Sequence, residues 1–574
     1  MGVLHLGLPE WTDYHHQVQE AKREASMHHK TGETIYDLIR LPEEEIRRRF
    51  KQLKARLPHL YRDILPYRHT PRTVVVIPSL TLDQEVLSKI KGINYYEERL
   101  LYYLMMLQLP RTQVIFVTSQ AIDSAIVDYF LNLLPGVPGS HARRRLTLLY
   151  CHDASSLSLT EKILQRPRLI QRIRSAIQYP EAAYMECFNS TPLERRLSVY
   201  LGIPLYANDP DLDYLGSKSW NRRIFREAGV PHPDGFEDLR DEQDVAQALV
   251  ALKRRHPELR RVVVKLNEGF SGEGNALFDF TGAPEENLED WVKEELPRRL
   301  HFENPEETYE RFMRKFEEMQ GIAEVFIEGE NKRSPSVQGL INPLGEGTIV
   351  STHEQILGGP TKQVYLGAAF PALRDYRLTL HEAGRKIGRV LSRKGSIGRF
   401  AVDFVTVQRK DGGWDIYALE INLRKGGTTH PFMTLRFLTH GEYNLEDGVY
   451  YTGTGQPRYY YATDNIYNPA YKGLTPEDLM DISVCEGLHF HAGTQEGVVF
   501  HLVGALSEHG KLGVVSIGAT PERAEGLYHK TIEALDRVVQ DGGKCQNPPR
   551  SEEEATAPTH FHPWWRPQED EERT

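Results

Sequence analysis

Short apolar runs at 73–77, 113–117 and 146–150 alternate with stretches of helical periodicity through 97–107 and from Asp123 onward. Strands alternating with helices predict a small parallel α/β layer over 71–207. Its strand ends, Pro78-Ser79-Leu80 and Thr118-Ser119-Gln120, are candidates for lining a cleft or for simple connection. Upstream, residues 1–70 mix charge with a helical pattern over 43–57 and end in Pro66 and Pro71, which reads as a helical N-terminal extension. A mixed region over 208–440 shows helices near 218–228 and 241–255 and strands near 261–266, 323–327 and 337–341. The stretch 441–540 opens with turn-rich Tyr and Gly sequence. It then reads as a strand over 497–507, a turn at Glu508-His509-Gly510, a strand over 513–517 and a helix over 521–539, a small α+β unit. The tail 541–574, rich in Pro, Glu and Asp, is expected to be disordered.

Two further strands, 399–408 and 414–423, flank Lys410-Asp411-Gly412-Gly413, which is tight-turn chemistry. A two-residue Asp-Gly loop pairs positions whose numbers sum to 823 and sets Asp403 opposite Glu420; a Gly-Gly loop pairs Asp403 with Asn422 instead. Either register puts Asp403, Glu420 and Asn422 on one face, because strand side chains alternate with period two. An odd loop length breaks this expectation. Opposed carboxylates repel by roughly 0.2–1 kcal/mol, and a hard cation with oxygen ligands removes the conflict, so the face is a candidate Mg²⁺ site.

Composition narrows the class. The 574 residues, 40% of them hydrophobic, are enough for several cores. No run of about 18 apolar residues occurs, the N-terminus has no signal pattern and Met1-Gly2 lacks the context for myristoylation, so a cytoplasmic protein without a membrane partner is expected. The scattered Cys151, Cys187, Cys485 and Cys545 form neither a zinc ribbon nor a disulfide framework. A net charge of −10 argues against a nucleic-acid partner, and any site for a polyanionic small molecule needs locally clustered cations. The pairs His15-His16 and His28-His29 read as solvated, and His489, His491 and His501 as core or hydrogen-bonded histidines ahead of a zinc site.

Such cations exist. Lys265 ends a strand that runs into Asn267-Glu268-Gly269-Phe270-Ser271-Gly272-Glu273-Gly274, where glycine lets backbone N–H groups approach a phosphate; a flexible hairpin loop is the plain alternative. Lys218 opens a predicted helix in Gly216-Ser217-Lys218, a second phosphate-type position, and neither segment is a Walker loop. The strand containing Glu324, Phe326, Ile327 and Glu328 could pair with an adenine through its backbone while Glu328 accepts ribose hydroxyls, or Glu328 is a solvated strand end. Arg399 and Arg424 flank the metal-type face, suited either to carboxylate pairing or to clamping a phosphoryl group or oxyanion. His430, in Gly426-Gly427-Thr428-Thr429-His430-Pro431, reads as an immobilised loop residue more than as a proton-transfer group.

In this order, Lys218, Lys265 with its glycine loop, the 324–329 strand, Asp403 and Glu420-Ile421-Asn422 resemble the ATP-grasp superfamily. Within it, Phe326-Ile327-Glu328-Gly329, Ser334-Pro335-Ser336-Val337-Gln338, Glu420-Ile421-Asn422-Leu423-Arg424 and Gly497-Val498-Val499-Phe500-His501-Leu502 resemble the pheganomycin-type ATP-grasp peptide ligases, over about 73–535. The resemblance implies a pre-ATP-grasp α/β domain, an ATP-grasp fold and a small α+β C-terminal domain. It also implies ATP bound by Lys218, Lys265, Gly269, Ser271, Gly272, Gly274, Glu324, Phe326, Ile327 and Glu328. Two Mg²⁺ ions, with Mn²⁺ as a substitute, would sit on Asp403, Glu420 and Asn422, and Arg399 and Arg424 would stabilise an acyl phosphate. The implied activity is ATP-dependent carboxylate-amine ligation of amino acids or peptides. A non-catalytic ATP-binding scaffold and a small-molecule kinase are the rival readings. The acyl donor, the amine and the oligomeric state, a homo-oligomer included, are left open.

Overall fold

The computed structural model describes residues 33–82, 87, 90–269, 274–302, 304, 307–358 and 364–540. Its first sheet is parallel, in the order β3-β2-β1-β4, from β1 (Arg72–Ile77), β2 (Thr112–Thr118), β3 (Leu146–Tyr150) and β4 (Ala183–Cys187). Every residue of β1, β2 and β4 is buried, as expected for a sheet covered on both faces. One face packs Val75, Ile77, Ile115 and Val117 against Ile46 and Phe50 of helix Glu43–Lys54, so the N-terminal helices are part of this layer. The other face packs Val74, Val76 and Phe116 into a core that also holds Leu104, Phe432, Leu435, Tyr460, Val514 and Leu535. The expected helix through 97–107 winds as a 3₁₀ helix, Ile93–Gln108.

A second sheet is antiparallel, in the order β5-β9-β6-β7-β8, from β5 (Gly235–Leu239), β6 (Arg261–Leu266), β7 (Asn275–Asp279), β8 (Leu300–Phe302) and β9 (Gly321–Val325). The third sheet runs from β10 (Lys332–Arg333), β11 (Pro335–Ile341), β12 (Gly347–Gly358), β13 (Val364–Phe370), β14 (Gly398–Gln408) and β15 (Trp414–Asn422) through β16 (Glu442–Tyr443), β17 (Tyr450–Tyr451), β18 (Pro457–Tyr467), β19 (Gly497–His501) and β20 (Lys511–Gly518). Its core joins Val337, Ile341, Phe400, Val402 and Ile421 to Leu380 and Ile387 of helix Arg377–Arg393 and to Ile224 and Phe225 of helix Lys218–Ala228.

The region 441–540 differs from its sequence reading in two places. The Tyr-rich run taken as turns is the eleven-residue β18, and it pairs with β13, so β18, β20 and β19 continue the sheet that carries β14 and β15. The strand expected over 497–507 stops at His501, because Leu502 adopts a positive φ of 53° and the chain turns into helix Gly504–His509.

The first sheet is locked to the third by a buried ion pair. Lys425, three residues past β15, donates to Glu186 of β4 at 2.8 Å and to the Cys187 carbonyl at 2.6 Å. Breaking one side strands a buried charge, at about 3–5 kcal/mol. Lys425→Met is expected to lower Tm markedly, whereas Lys425→Met with Glu186→Leu should recover most of the loss, measured by scanning calorimetry.

Candidate active site

The hairpin β14–β15 is not closed by a two-residue turn. Gln408 pairs with Trp414, leaving the five residues 409–413 as the loop, with Gly412 at φ 84° and the Arg409 N–H donating to the Gly413 carbonyl at 2.7 Å. That odd loop sets Phe404 opposite Ala418, and an extra residue in β15, Leu419, then restores Asp403 opposite Glu420 and Ala401 opposite Asn422. A bulge of this kind re-aims the side chains beyond it. Asn422 Nδ2 donates to Asp403 Oδ2 at 3.1 Å, and Gln355 of β12 donates to Asp403 Oδ1 at 2.6 Å.

Lys218 reaches the same face from the first turn of its helix, which Ser217 caps, and its Nζ donates to Glu420 Oε1 at 2.6 Å. The two carboxyls therefore titrate apart. Burial and then the facing Glu420 push Asp403 up to about 7, while Glu420, although burial opposes its ionisation, is held below the ordinary carboxylate range by Lys218. A facing pair, with one member ionised and the other short of a counter-charge, fits a hard divalent cation.

Lys265 is the penultimate residue of β6, where its Nζ donates at 2.5 Å to Glu324 of β9, a buried carboxylate that Arg222 also binds at 3.1 Å. Asn267 ties this strand end to the first helix: its Oδ1 accepts from the Ser219 N–H at 3.0 Å and hydroxyl at 2.8 Å, and its carbonyl accepts from the Lys218 N–H. The glycine loop leaves between Gly269 and Gly274, where the Leu266 N–H donates to the Gly274 carbonyl. Ser271 and Gly272 lie outside the described residues. Beyond β9, Glu328 accepts from Arg261 at 2.8 and 2.5 Å, and the Phe326 ring carries the cations of Arg261, 4.1 Å from its centroid, and Lys332, 3.9 Å away. Ile327 contributes its carbonyl to Lys332.

Arg424, half-buried beside Glu420 and Asp403, lies at the end of the metal-type face. Arg399 is four residues before Asp403 and on its side of β14, near Tyr102 and Tyr103 of the first layer. One of its terminal nitrogens contacts the Met433 sulfur, and the other, Nη1, is buried without a hydrogen-bond partner among the described residues. Three residues past Arg424 the chain makes a close approach that glycine permits: a Cβ on Gly427 would come within 2.6 Å of the Tyr365 ring.

A family model described as "IQCH-like, ATP-grasp" matches residues 211–301 and 298–446, and one described as "PGM1 C-terminal domain" matches residues 478–531. The L-propargylglycine–L-glutamate ligase of Streptantibioticus cattleyicolor is 31% identical over 473 residues, covering 81% of this chain and 94% of that protein. The chain belongs to the ATP-grasp family. An IQ motif-containing protein H of Danio rerio is 23% identical over 418 residues, 65% of this chain and 39% of that protein. Among solved structures, the biotin carboxylase domain of Hydrogenobacter thermophilus 2-oxoglutarate carboxylase is similar with a TM-score of 0.49 and 13% identity, over 82% of this chain and 95% of that one.

Two residues of this candidate site were given no role from the sequence. Gln355 is uncharged and reaches the site through strand pairing, with no local motif to mark it, and Asn267 opens the glycine loop yet acts as a tie to the Lys218 helix. Of the histidines grouped from sequence, His489 and His491 are exposed, whereas His501 is buried against His430, which opens helix Thr429–Thr439 with Pro431 in its first turn rather than lying in a loop. Among the described residues no helix is long and apolar enough to cross a membrane.

Proposed function

We propose that this ATP-grasp protein is an ADP-forming carboxylate-amine ligase acting on amino acids or peptides. The observation that carries the reading is the face shared by Asp403, Glu420, Asn422 and Lys218, with Lys265 held at the adjoining strand end. The similarity to an amino acid ligase over 94% of that relative's length supports it.

Asp403, Glu420 and Asn422 would hold two Mg²⁺ ions, with Mn²⁺ as an expected substitute, and the bound ions would neutralise charge on the triphosphate. Lys218 and Lys265 would exchange Glu420 and Glu324 for phosphate oxygens. Backbone N–H groups from Gly269 through Ser271 and Gly272 to Gly274 would close over the phosphates. The Phe326 and Ile327 backbone would face the adenine, and Glu328 would exchange Arg261 for the ribose hydroxyls.

A carboxylate oxygen of the substrate attacks the γ-phosphorus; the bond to the bridging oxygen breaks and ADP leaves. The amine nitrogen then attacks the acyl carbon, phosphate departs with the bonding pair, and the nitrogen loses a proton. Arg399 and Arg424 would stabilise the charge that collects on the acyl phosphate and the tetrahedral oxyanion. The test is Mg²⁺-dependent ADP release with pooled amino acids and short peptides, with hydroxylamine added to intercept the activated carboxylate. A hydroxamate is expected and identifies the donor by mass. A stable phosphorylated product with no amine requirement would indicate a kinase. ATP binding with no ADP across the panel would favour the scaffold reading.

A further inference from the structure

A second cluster of ligating side chains, made of residues other than Asp403, Glu420 and Asn422, converges on one point. His430 opens helix Thr429–Thr439, Asp464 lies in β18 and His501 ends β19, and each is 4% exposed. His430 Nε2 and His501 Nε2 are 3.0 Å apart, and Asp464 Oδ1 is 3.1 Å from the first and 2.7 Å from the second. The other carboxylate oxygen, Oδ2, accepts from Arg99 Nη1 at 3.2 Å, which orients the group and leaves Oδ1 facing the two imidazoles. Lys511, a further cation that feels Asp464, donates its Nζ to Tyr96 Oη at 2.9 Å. His501 takes its position because residue 513 is glycine: a Cβ there would come within 2.2 Å of Nε2.

We propose that His430, Asp464 and His501 form a buried site for a borderline transition-metal dication, Zn²⁺ first among them. Two imidazole nitrogens and one carboxylate oxygen are the donor set that Zn²⁺ takes at about 2.0–2.2 Å, whereas Mg²⁺ selects oxygen. An ion at those distances would sit roughly 1 Å out of the plane of the three atoms, after the triangle opens by a few tenths of an ångström toward the spacing of a tetrahedral pair. Arg99 is then the outer partner that fixes the ligating carboxylate. Three protein ligands leave a fourth position for water or another small donor. The ligands join two parts of the chain: His430 follows the Glu420-to-Arg424 segment by a short loop, while Asp464 and His501 belong to strands at the far end of the third sheet. Without an ion, at most two Nε2 protons crowd onto one Oδ1. Among the described residues His501 Nδ1 has no hydrogen-bond partner, so none of them fixes its tautomer through Nδ1.

The experiment uses the full chain, incubated with Zn²⁺ and then exchanged into metal-free buffer without nucleotide, with metal content read by plasma mass spectrometry. About one Zn²⁺ per chain is expected, falling below about a tenth in His501→Gln and in Asp464→Asn, and unchanged in Glu420→Ala, which removes a ligand only from the other face. Co²⁺ loaded into the unmodified chain should give the visible absorption of a four-coordinate ion. Chelation should lower Tm and added Zn²⁺ restore it, a readout that needs no variant. Less than about a tenth of an equivalent in the unmodified chain would overturn the proposal, as would zinc retained by a folded His501→Gln, Asp464→Asn double variant or lost in Glu420→Ala.

Discussion

Glu420→Ala should lower Mg²⁺-dependent ADP release at least about a thousandfold while the far-UV circular dichroism stays native. Glu420 faces Asp403 across the hairpin and is the acceptor that holds Lys218 in place, so its removal takes away both a metal-type oxygen and the anchor of a phosphate-type lysine. Loss of a single preorganised electrostatic partner in a site of this kind costs roughly 10²–10³ in kcat, and here two functions fall together. The structural cost is that Lys218, itself buried at a helix start, loses its carboxylate partner, at most about 3–5 kcal/mol and less to the extent that nearby Asp403 compensates. The measurement is steady-state ADP release at saturating ATP beside a thermal melt. Turnover within tenfold of the parent would remove this face from the chemistry.

Asp403→Asn should do something different: abolish turnover and yet stabilise the metal-free chain above about pH 7. Burial and Glu420 raise the carboxyl from its ordinary value of 3.8 to about 7 in the fold. Between those values the folded state binds more protons than the unfolded chain, so the folded state loses stability as pH rises through that window and reaches a plateau above it. A shift of this size corresponds to at most about 4 kcal/mol, and Asn gives back part of that because it cannot accept from both Gln355 and Asn422. The net gain expected at pH 8 in the presence of chelator is about 1–3 kcal/mol, absent near pH 4. Melts of both chains across this range check it. A variant less stable than the parent at pH 8 would mean that the opposed carboxylates cost the fold nothing.

The way the metal-type face became legible shows what a sequence can carry. Period-two alternation brought Asp403, Glu420 and Asn422 onto one surface, although the turn assumed for it was wrong. Residues 409–413 make an odd loop, and the bulge at Leu419 cancels the shift. Bulges leave little local trace, because the extra residue is defined by the partner strand rather than by its own type. β18 was misread for a related reason: Gly453 and Gly455 just before it suggested turns, and its Tyr residues were not credited as strand formers. That misreading hid Asp464, and with it the meeting of His430 and His501. Gln355 was invisible because its role comes from a neighbouring strand far along the chain.

The central claim is that ATP activates a carboxylate by phosphoryl transfer before an amine attacks. The most direct test supplies pooled amino acids labelled with ¹⁸O in their carboxylates, together with ATP and Mg²⁺, and reads the released phosphate by mass. One ¹⁸O atom per phosphate formed is the expected result, because the attacking carboxylate oxygen leaves with the phosphorus. Phosphate without label, released alongside ADP and an amide product, would contradict an acyl phosphate, and label in AMP would mean that the carboxylate is activated as an adenylate instead.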